Sequence, residues 1–201
     1  MPIRLETWFA VGSAYTWLAI RRAEMLEAAG EVVFDWKPYS TRIVMSELGT
    51  LPKNAPVKLA YIWRDIERRA PRLGLSPRFP APYPLVDYDR ANHVAVLAAR
   101  EGWCFDYLRA TYRRWMQEGQ VAGAEPNLSE SLREIGRDPV ETLARADAPE
   151  IAAAFLANTD RARELGVFGA PTFRVGEELF WGEDRLDDAL DWARTGRLSA
   201  P

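Results

Sequence analysis

The chain has 201 residues, of which 48% are hydrophobic and 27% are charged, and its formal net charge is −3. These values are typical of a globular protein that is large enough to bury a core. Charges of both signs are mixed along the sequence, which argues against a nucleic-acid-binding surface. No run of about 18 apolar residues occurs, so a membrane span is not expected. Residues 1–20 lack the pattern of a secretory signal, and we therefore expect a cytoplasmic protein.

The scarcity of cysteine and histidine excludes several kinds of catalytic site. Cys104 is the only cysteine and His93 the only histidine. The chain therefore has no internal disulfide and no C-x-x-C pair, and dithiol–disulfide exchange by the protein itself is excluded. A histidine-based metal site is excluded as well, and no metal is expected. We interpret Cys104 as a buried apolar residue and His93 as a structural or surface residue.

The first 40 residues predict a βαβ unit. Residues 3–9, "IRLETWF", alternate between polar and apolar side chains, which is typical of a strand. Apolar residues from Tyr15 to Ala29 follow helical spacing, and Gly30 is a plausible end of that helix. A second strand is predicted at residues 31–38, "EVVFDWKP". A crossover of this length implies parallel strands, which helices must cover.

The middle of the chain is predicted to be almost entirely helical. Helices are expected near residues 57–70, 88–101, 104–118, 138–146 and 149–165. The prolines and the glycine of "RLGLSPRFPAPYPL", residues 72–85, exclude a helix between the first two. Asp138 followed by Pro139 is a well-formed helix start.

Strands return after Gly166 and predict a ββα unit. Residues 171–175, "PTFRV", and residues 178–182, "ELFWG", flank a turn at residues 176–177, and an amphipathic helix follows. Neither this unit nor the βαβ unit can bury its own face, so the two should share one sheet. We therefore predict an α/β fold in which residues 1–40 and 165–201 form one domain and residues 41–164 form a helical insertion.

Pro171 precedes the third predicted strand and needs an explanation. Proline lacks an amide donor, so it is tolerated mainly at the first residue of a strand or at a sheet edge. From the residues alone an ordinary trans proline closing a loop is favoured, since about 5–6% of X–Pro bonds in folded proteins are cis. The alternative is a role in shaping a ligand site.

Three sequence blocks resemble one family. The order βαβ, helices, ββα is similar to the thioredoxin fold of the DsbA-like variety. Within it, the chain resembles the 2-hydroxychromene-2-carboxylate isomerases and the related kappa-class glutathione transferases over nearly its whole length. The blocks that carry the resemblance are "GVFGAPTFRVGEELFWGEDRL" (166–186), "GSAYTWLA" (12–19) and "KLAYIWRDIERRAPRLGL" (58–75).

The resemblance implies glutathione as the cofactor and Ser13 as the catalytic residue. In this family a serine stands where a thioredoxin has its nucleophilic cysteine, and its hydroxyl donates a hydrogen bond to the glutathione sulfur. Ser13 lies at a strand-to-helix junction, where unpaired amides and the helix dipole stabilise a thiolate. From the local sequence alone, Ser13 is more simply a helix N-cap. Tyr15, in the same block, is implied to bind the cofactor.

The resemblance also implies the remaining glutathione-binding residues. It implies that Pro171 is cis and that Ala170 pairs with the glutathione main chain. Asp184 would bind the γ-glutamyl ammonium, with Glu183 beside it, and Lys58 would reach a glutathione carboxylate. On local grounds, the two acidic residues are also explained by the dipole of the final helix, and Lys58 by solvation.

The block around Ser13 departs from the family pattern. Ala14 stands where the family commonly has proline, and Thr16 where it has serine. Residues 49–56 are shorter than the family's segment and have no asparagine at the position where the family has one. Thr50 and Asn54 are alternative replacements for it. The substrate preference and the oligomeric state stay open, with a homodimer suggested by related enzymes only.

The expected activity is that of a glutathione-dependent isomerase acting on an unsaturated, aromatic-derived carboxylate, with a small aromatic molecule as the partner and no nucleic acid or membrane. Two alternatives stay open. One is a kappa-like glutathione transferase, which would consume glutathione. The other is a DsbA-like scaffold that has lost its cysteines and binds a peptide or a partner chain. One or two tryptophans are expected to line an aromatic substrate pocket.

Overall fold

A four-stranded mixed sheet forms the centre of the protein in the computed structural model, which describes residues 2–198. The strands are β1 (Ile3–Phe9), β2 (Val32–Pro38), β3 (Thr172–Val175) and β4 (Glu178–Trp181), arranged in the order β2-β1-β3-β4. β1 and β2 are parallel, while β3 is antiparallel to both β1 and β4. This confirms the prediction that a βαβ unit and a ββα unit share one sheet.

Nine helices surround the sheet within the described residues: α1 (Ala14–Ala28), α2 (Thr41–Glu47), α3 (Pro56–Arg69), α4 (Tyr88–Glu101), α5 (Cys104–Glu118), α6 (Asn127–Glu134), α7 (Pro139–Ala146), α8 (Pro149–Glu164) and α9 (Leu186–Thr195). Short 3₁₀ turns occur at Pro52–Asn54, Ala70–Leu73 and Glu183–Arg185. None of the nine helices has the length and apolar character that crossing a membrane requires.

Local sequence explains where several of these helices begin. The Asp138 side chain accepts a hydrogen bond of 2.8 Å from the Glu141 amide, and Pro139 takes the first position of α7, as predicted. The Ser40 hydroxyl accepts a bond of 3.3 Å from the Ile43 amide at the start of α2. Neither α2 nor α6 was predicted, because each is too short for a clear hydrophobic period and neither begins with an Asp-Pro pair like that of α7.

Both faces of the sheet are covered. Leu5 and Phe9 of β1 belong to the larger core cluster, which also contains residues of α1, α3, α4 and α5. Trp8 points to the opposite face, since strand side chains alternate, and joins a second cluster with Tyr39, Val44 and Ala162. The larger cluster therefore includes side chains of the sheet and of the helices between residues 41 and 164. The division into two domains stays a prediction.

Candidate active site

Ser13 occupies the N-cap position of α1, directly after β1. Its hydroxyl does not cap the helix, and instead donates a hydrogen bond of 2.7 Å to the carbonyl oxygen of Ala170. The first-turn amides of a helix have no intrahelical acceptor and carry the positive end of its dipole. Ala14 and Tyr15, the first two residues of α1, line the same cleft as Ser13. The serine therefore stands at a polar junction that suits an anion, with its proton directed at a backbone carbonyl.

The Ala170–Pro171 peptide bond is cis, as the resemblance implied, and the trans alternative is wrong. The carbonyls on either side of Ala170 are used internally, because Gly169 O accepts from the Thr172 hydroxyl at 2.8 Å and Pro171 O accepts from the Gly182 amide at 2.9 Å. Within residues 2–198 the amide of Ala170 makes no hydrogen bond. Ala170 thus presents one unpaired donor, together with a carbonyl that binds Ser13.

Two buried side chains from the helices hold the loop that carries Ser13. The Asn92 amide group accepts from Val11 N at 2.8 Å and donates to Val11 O at 3.0 Å and to Tyr88 O at 2.8 Å. The Tyr112 hydroxyl lies 2.9 Å from Ala10 O and 3.1 Å from Ser13 O. Sequence reasoning missed both residues. A polar asparagine within the apolar stripe of α4 was the only sign of the first.

The cleft beside Ser13 has a volume of about 270 Å³ and is mainly aromatic and apolar. Four of the predicted site residues line it, namely Ser13, Tyr15, Lys58 and Ala170. The aromatic side chains in its wall are Tyr15, Tyr61, Trp63, Tyr83, Tyr88 and Trp181. Two tryptophans, Trp63 and Trp181, therefore line the cleft beside Ser13, and its use as an aromatic substrate pocket stays a prediction.

Tyr15 is held in the cleft wall by a carboxylate. Its hydroxyl donates a hydrogen bond of 3.0 Å to Oδ2 of Asp65 on α3. Desolvation and this bond to Asp65 hold the pKa of Tyr15 well above its ordinary value. The phenol therefore stays protonated at neutral pH and is occupied by Asp65, so it contributes a ring and a fixed dipole to the cleft rather than a base.

Glu183 and Asp184 lie outside the cleft wall, although they are neighbours in sequence. Glu183 is only 3% exposed, and its carboxylate pairs with the guanidinium groups of Arg22 and Arg69. Asp184 is half-exposed and pairs with Arg185 at 3.1 Å. Burial gives Glu183 a structural explanation that the sequence did not reveal. Pro171 is buried and also does not line the cleft. The glutathione-binding roles of these three residues stay predictions.

The two alternatives for the missing asparagine also lie outside the cleft wall. Thr50 and Asn54 are exposed, and the Thr50 hydroxyl donates to Met45 O at 3.5 Å. In this segment the wall is formed by Leu51 and Pro52. The cleft therefore meets apolar side chains here, and the choice between Thr50 and Asn54 stays open.

The single cysteine and the single histidine both lie outside the cleft wall. Cys104 is buried at the start of α5, as predicted, and burial raises the pKa of its thiol. His93 packs edge-on against Phe155 with 5.5 Å between ring centroids, and burial lowers its pKa. Neither residue lines the cleft, so a thiolate or imidazole nucleophile there must come from a ligand.

Comparisons with known proteins agree with this architecture. A family model described as a DSBA-like thioredoxin domain matches residues 4–191. The 2-hydroxychromene-2-carboxylate isomerase of Sphingobium xenophagum is 24% identical over 190 residues, which cover 93% of this chain and 96% of that protein. The protein of the same name from Pseudomonas putida is 28% identical over 147 residues, which cover 72% of this chain and 70% of that protein.

Similarity to a solved structure supports the same fold. The structure of a 2-hydroxychromene-2-carboxylate isomerase matches with a TM-score of 0.81 at 24% identity, over 91% of this chain and 90% of that chain. The predicted DsbA-like thioredoxin fold is confirmed. Since the family model spans most of the sequence, the chain belongs to the DSBA-like thioredoxin domain family.

Proposed function

We propose that the protein is a glutathione-dependent isomerase that acts on an unsaturated, aromatic-derived carboxylate. The observation that carries this proposal is the hydrogen bond from the Ser13 hydroxyl to the Ala170 carbonyl, in an aromatic cleft at the start of α1. The names of the relatives from Sphingobium xenophagum and Pseudomonas putida support the reaction class. The cytoplasmic location is part of the same proposal, since glutathione is a cytosolic thiol.

The residues around Ser13 fit a peptide-like thiol. The unpaired Ala170 amide and its carbonyl suit the main chain of glutathione, as in the addition of a strand to a sheet edge. Lys58, an exposed cation in the cleft wall, suits a glutathione carboxylate. Asp184 would bind the γ-glutamyl ammonium. When bound, glutathione supplies a thiolate nucleophile that adds to an electrophilic carbon and leaves again, without net oxidation or reduction.

In this scheme the Ser13 hydroxyl would donate one hydrogen bond, first to the Ala170 carbonyl and then to the glutathione sulfur. A carbonyl oxygen has two lone pairs, so Ala170 O can accept from a ligand amide as well as from Ser13, whereas the serine hydroxyl has only one proton to donate. Rotation of that hydroxyl from Ala170 O to a sulfur would stabilise the thiolate, together with the first-turn amides of α1. Tyr15 stays protonated and bound to Asp65, so it does not compete for the thiol proton.

The first test compares the wild type with Ser13→Ala. Calorimetry with reduced glutathione should show one saturable site in both proteins, with affinities within about threefold. Turnover of 2-hydroxychromene-2-carboxylate should fall by about a hundredfold in the variant, as for the loss of one donor to a developing anion. The ultraviolet absorbance of the thiolate should show a higher thiol pKa in the variant. S-methylglutathione should bind without supporting turnover.

Ser129→Ala is the matched control, because it removes the same hydroxyl from α6, where Ser129 bonds Glu125 and does not line the cleft. This variant should keep the wild-type turnover per folded molecule. Equal turnover in Ser13→Ala and the wild type would exclude the role of Ser13. Consumption of glutathione in proportion to product would favour the transferase alternative. No binding at millimolar glutathione would favour the scaffold alternative.

A further inference from the structure

Among the described side chains, the charged residues that line the cleft are the two cations Arg42 and Lys58, with no aspartate or glutamate. An aromatic cavity with an excess of positive charge favours an anionic aromatic ligand over a neutral one. Lys58 already has a proposed partner in a glutathione carboxylate, whereas nothing described so far uses Arg42.

Arg42 is held rigidly but keeps most of its hydrogen-bonding capacity. It is the second residue of α2 and is half-buried. One guanidinium nitrogen donates to the carbonyl of Leu85, and the guanidinium carbon lies 4.0 Å from the ring centroid of Tyr88. A guanidinium has five N–H donors, and within residues 2–198 Arg42 makes no other hydrogen bond and no ion pair. The remaining donors are therefore available to a ligand.

The Tyr88 ring lies between Arg42 and the loop that carries Ser13. The Tyr88 hydroxyl accepts from the Thr41 amide at 3.0 Å and lies 3.0 Å from the Thr41 hydroxyl, which fixes the ring. The edge of the same ring approaches Gly12 so closely that a Cβ atom there would lie 3.1 Å from it. One aromatic ring thus separates the guanidinium from the backbone that precedes Ser13.

We propose that Arg42 binds the carboxylate of the organic substrate, and so selects planar aromatic carboxylates over their neutral analogues. The planar fork of arginine matches a carboxylate in a bidentate geometry, and stacking on Tyr88 orients that fork. Trp63 and Tyr83 in the same wall would contact the aromatic part of the ligand. This inference rests on the proposed function only for the identity of the substrate.

The experiment measures binding without glutathione. Chromone-2-carboxylate and its neutral analogue chromone-2-carboxamide are titrated calorimetrically into the wild type, R42Q and R42K. The wild type should bind the carboxylate roughly ten- to a hundredfold more tightly than the amide, which is the range for a hydrogen-bonded ion pair. R42Q should lose this preference and leave the affinity for the amide unchanged. R42K, which keeps the charge but not the fork, should lose at least about threefold.

R64Q is the matched control, because Arg64 lies on α3, is well exposed, pairs with Glu67 and does not line the cleft. It removes the same charge and should keep the wild-type preference. Thermal unfolding verifies that each variant folds, and R42K decides the question if R42Q does not fold. The inference is overturned if the arginine variants keep the wild-type preference, or if the wild type binds the carboxylate no better than the amide or binds neither probe.

The outcomes separate this inference from the proposed function. In one outcome R42Q loses the carboxylate preference, but the wild type neither binds glutathione nor isomerises 2-hydroxychromene-2-carboxylate. This outcome would support the anion site and reject the isomerase. A glutathione-dependent wild type whose preference R42Q leaves intact would retain the isomerase and reject the role of Arg42.

Discussion

Replacement of Asn92 by leucine, a side chain of similar size, should destabilise the protein and disturb Ser13 together. Asn92 is fully buried in α4, and its amide group bonds both the N–H and the C=O of Val11. Val11 is itself fully buried and lies two residues before Ser13. Leucine can neither donate nor accept, so it would leave both backbone groups of Val11 without a partner and out of reach of water.

The magnitude follows from counting the groups that lose their partner. An unsatisfied buried polar group costs about 1–3 kcal/mol, so two such groups predict a loss of about 2–6 kcal/mol. The third acceptor, Tyr88 O, lies in the first turn of α4 and can accept from the amide four residues later, so it adds little. This loss is a large fraction of the free energy of unfolding of a typical domain, about 5–15 kcal/mol.

Asn127 provides a matched control. It is also fully buried and also makes three hydrogen bonds, to the Thr111 hydroxyl, the Thr111 carbonyl and the Ser131 hydroxyl. Its partners are helical residues whose hydroxyls can rotate towards helical carbonyls, so Asn127→Leu leaves fewer groups unpaired. We expect a loss of about 1–3 kcal/mol, with no change in glutathione affinity per folded molecule.

Urea unfolding monitored by circular dichroism gives the two free energies, and calorimetry at low temperature gives the glutathione affinity of the folded fraction. Asn92→Leu should have the lower midpoint, and glutathione should bind it at least about tenfold more weakly, since a displaced loop loses both Ser13 and the α1 amides. Equal losses of stability in the two variants, or unchanged glutathione binding in Asn92→Leu, would refute the reasoning.

Three further predictions each test one residue. Gly169→Ala places a methyl group 2.9 Å from Cε2 of Trp181 and should lower the free energy of unfolding by about 1–3 kcal/mol, measured by urea unfolding. An unchanged midpoint would mean that the indole moves aside without cost. Glu183→Gln removes the buried carboxylate shared by Arg22 and Arg69, which keep Asp187 and Asp65 as partners, and should cost about 1–3 kcal/mol. The exposed Asp184→Asn should stay within about 0.5 kcal/mol in the same assay, and equal effects would contradict the structural role of Glu183. Burial raises the pKa of the Cys104 thiol, so it should not react with Ellman's reagent in the folded protein. In guanidinium chloride it should react once per chain. A fast reaction of the native protein would refute the burial of Cys104.

The sequence was sufficient for the elements with long, regular patterns. β1 alternates over seven residues, and the helices from α3 to α5 repeat their apolar positions over several turns, so their boundaries were predicted to within about two residues. Two-turn helices such as α2 carry no such repeat. The single shared sheet was predicted from the size of the βαβ and ββα units, because neither could bury its face alone.

Site residues that lie in recognisable sequence blocks were predicted, and those outside such blocks were missed. Ser13 and Ala170 are 157 residues apart, and the resemblance related them because each lies in a recognisable block. Asn92 and Arg42 act through contacts with backbone and rings that no local pattern encodes. Glu183 was predicted as a ligand residue from its position in a motif, and no sequence signal indicated that its carboxylate pairs with Arg22 and Arg69.

Different elements carry the two proposed tasks of the cleft. One group of residues would activate a thiol, and another would bind the organic substrate. Ser13 and Ala170 lie at the ends of strands, and Asn92 and Tyr112 hold the loop from helices behind it. Arg42 lies on α2, Tyr61 and Trp63 lie on α3, and Tyr83 lies in the loop before α4. Tyr88, at the start of α4, packs between Arg42 and Gly12 of the loop that carries Ser13. Changes in the wall can therefore alter which acceptor binds without moving the serine.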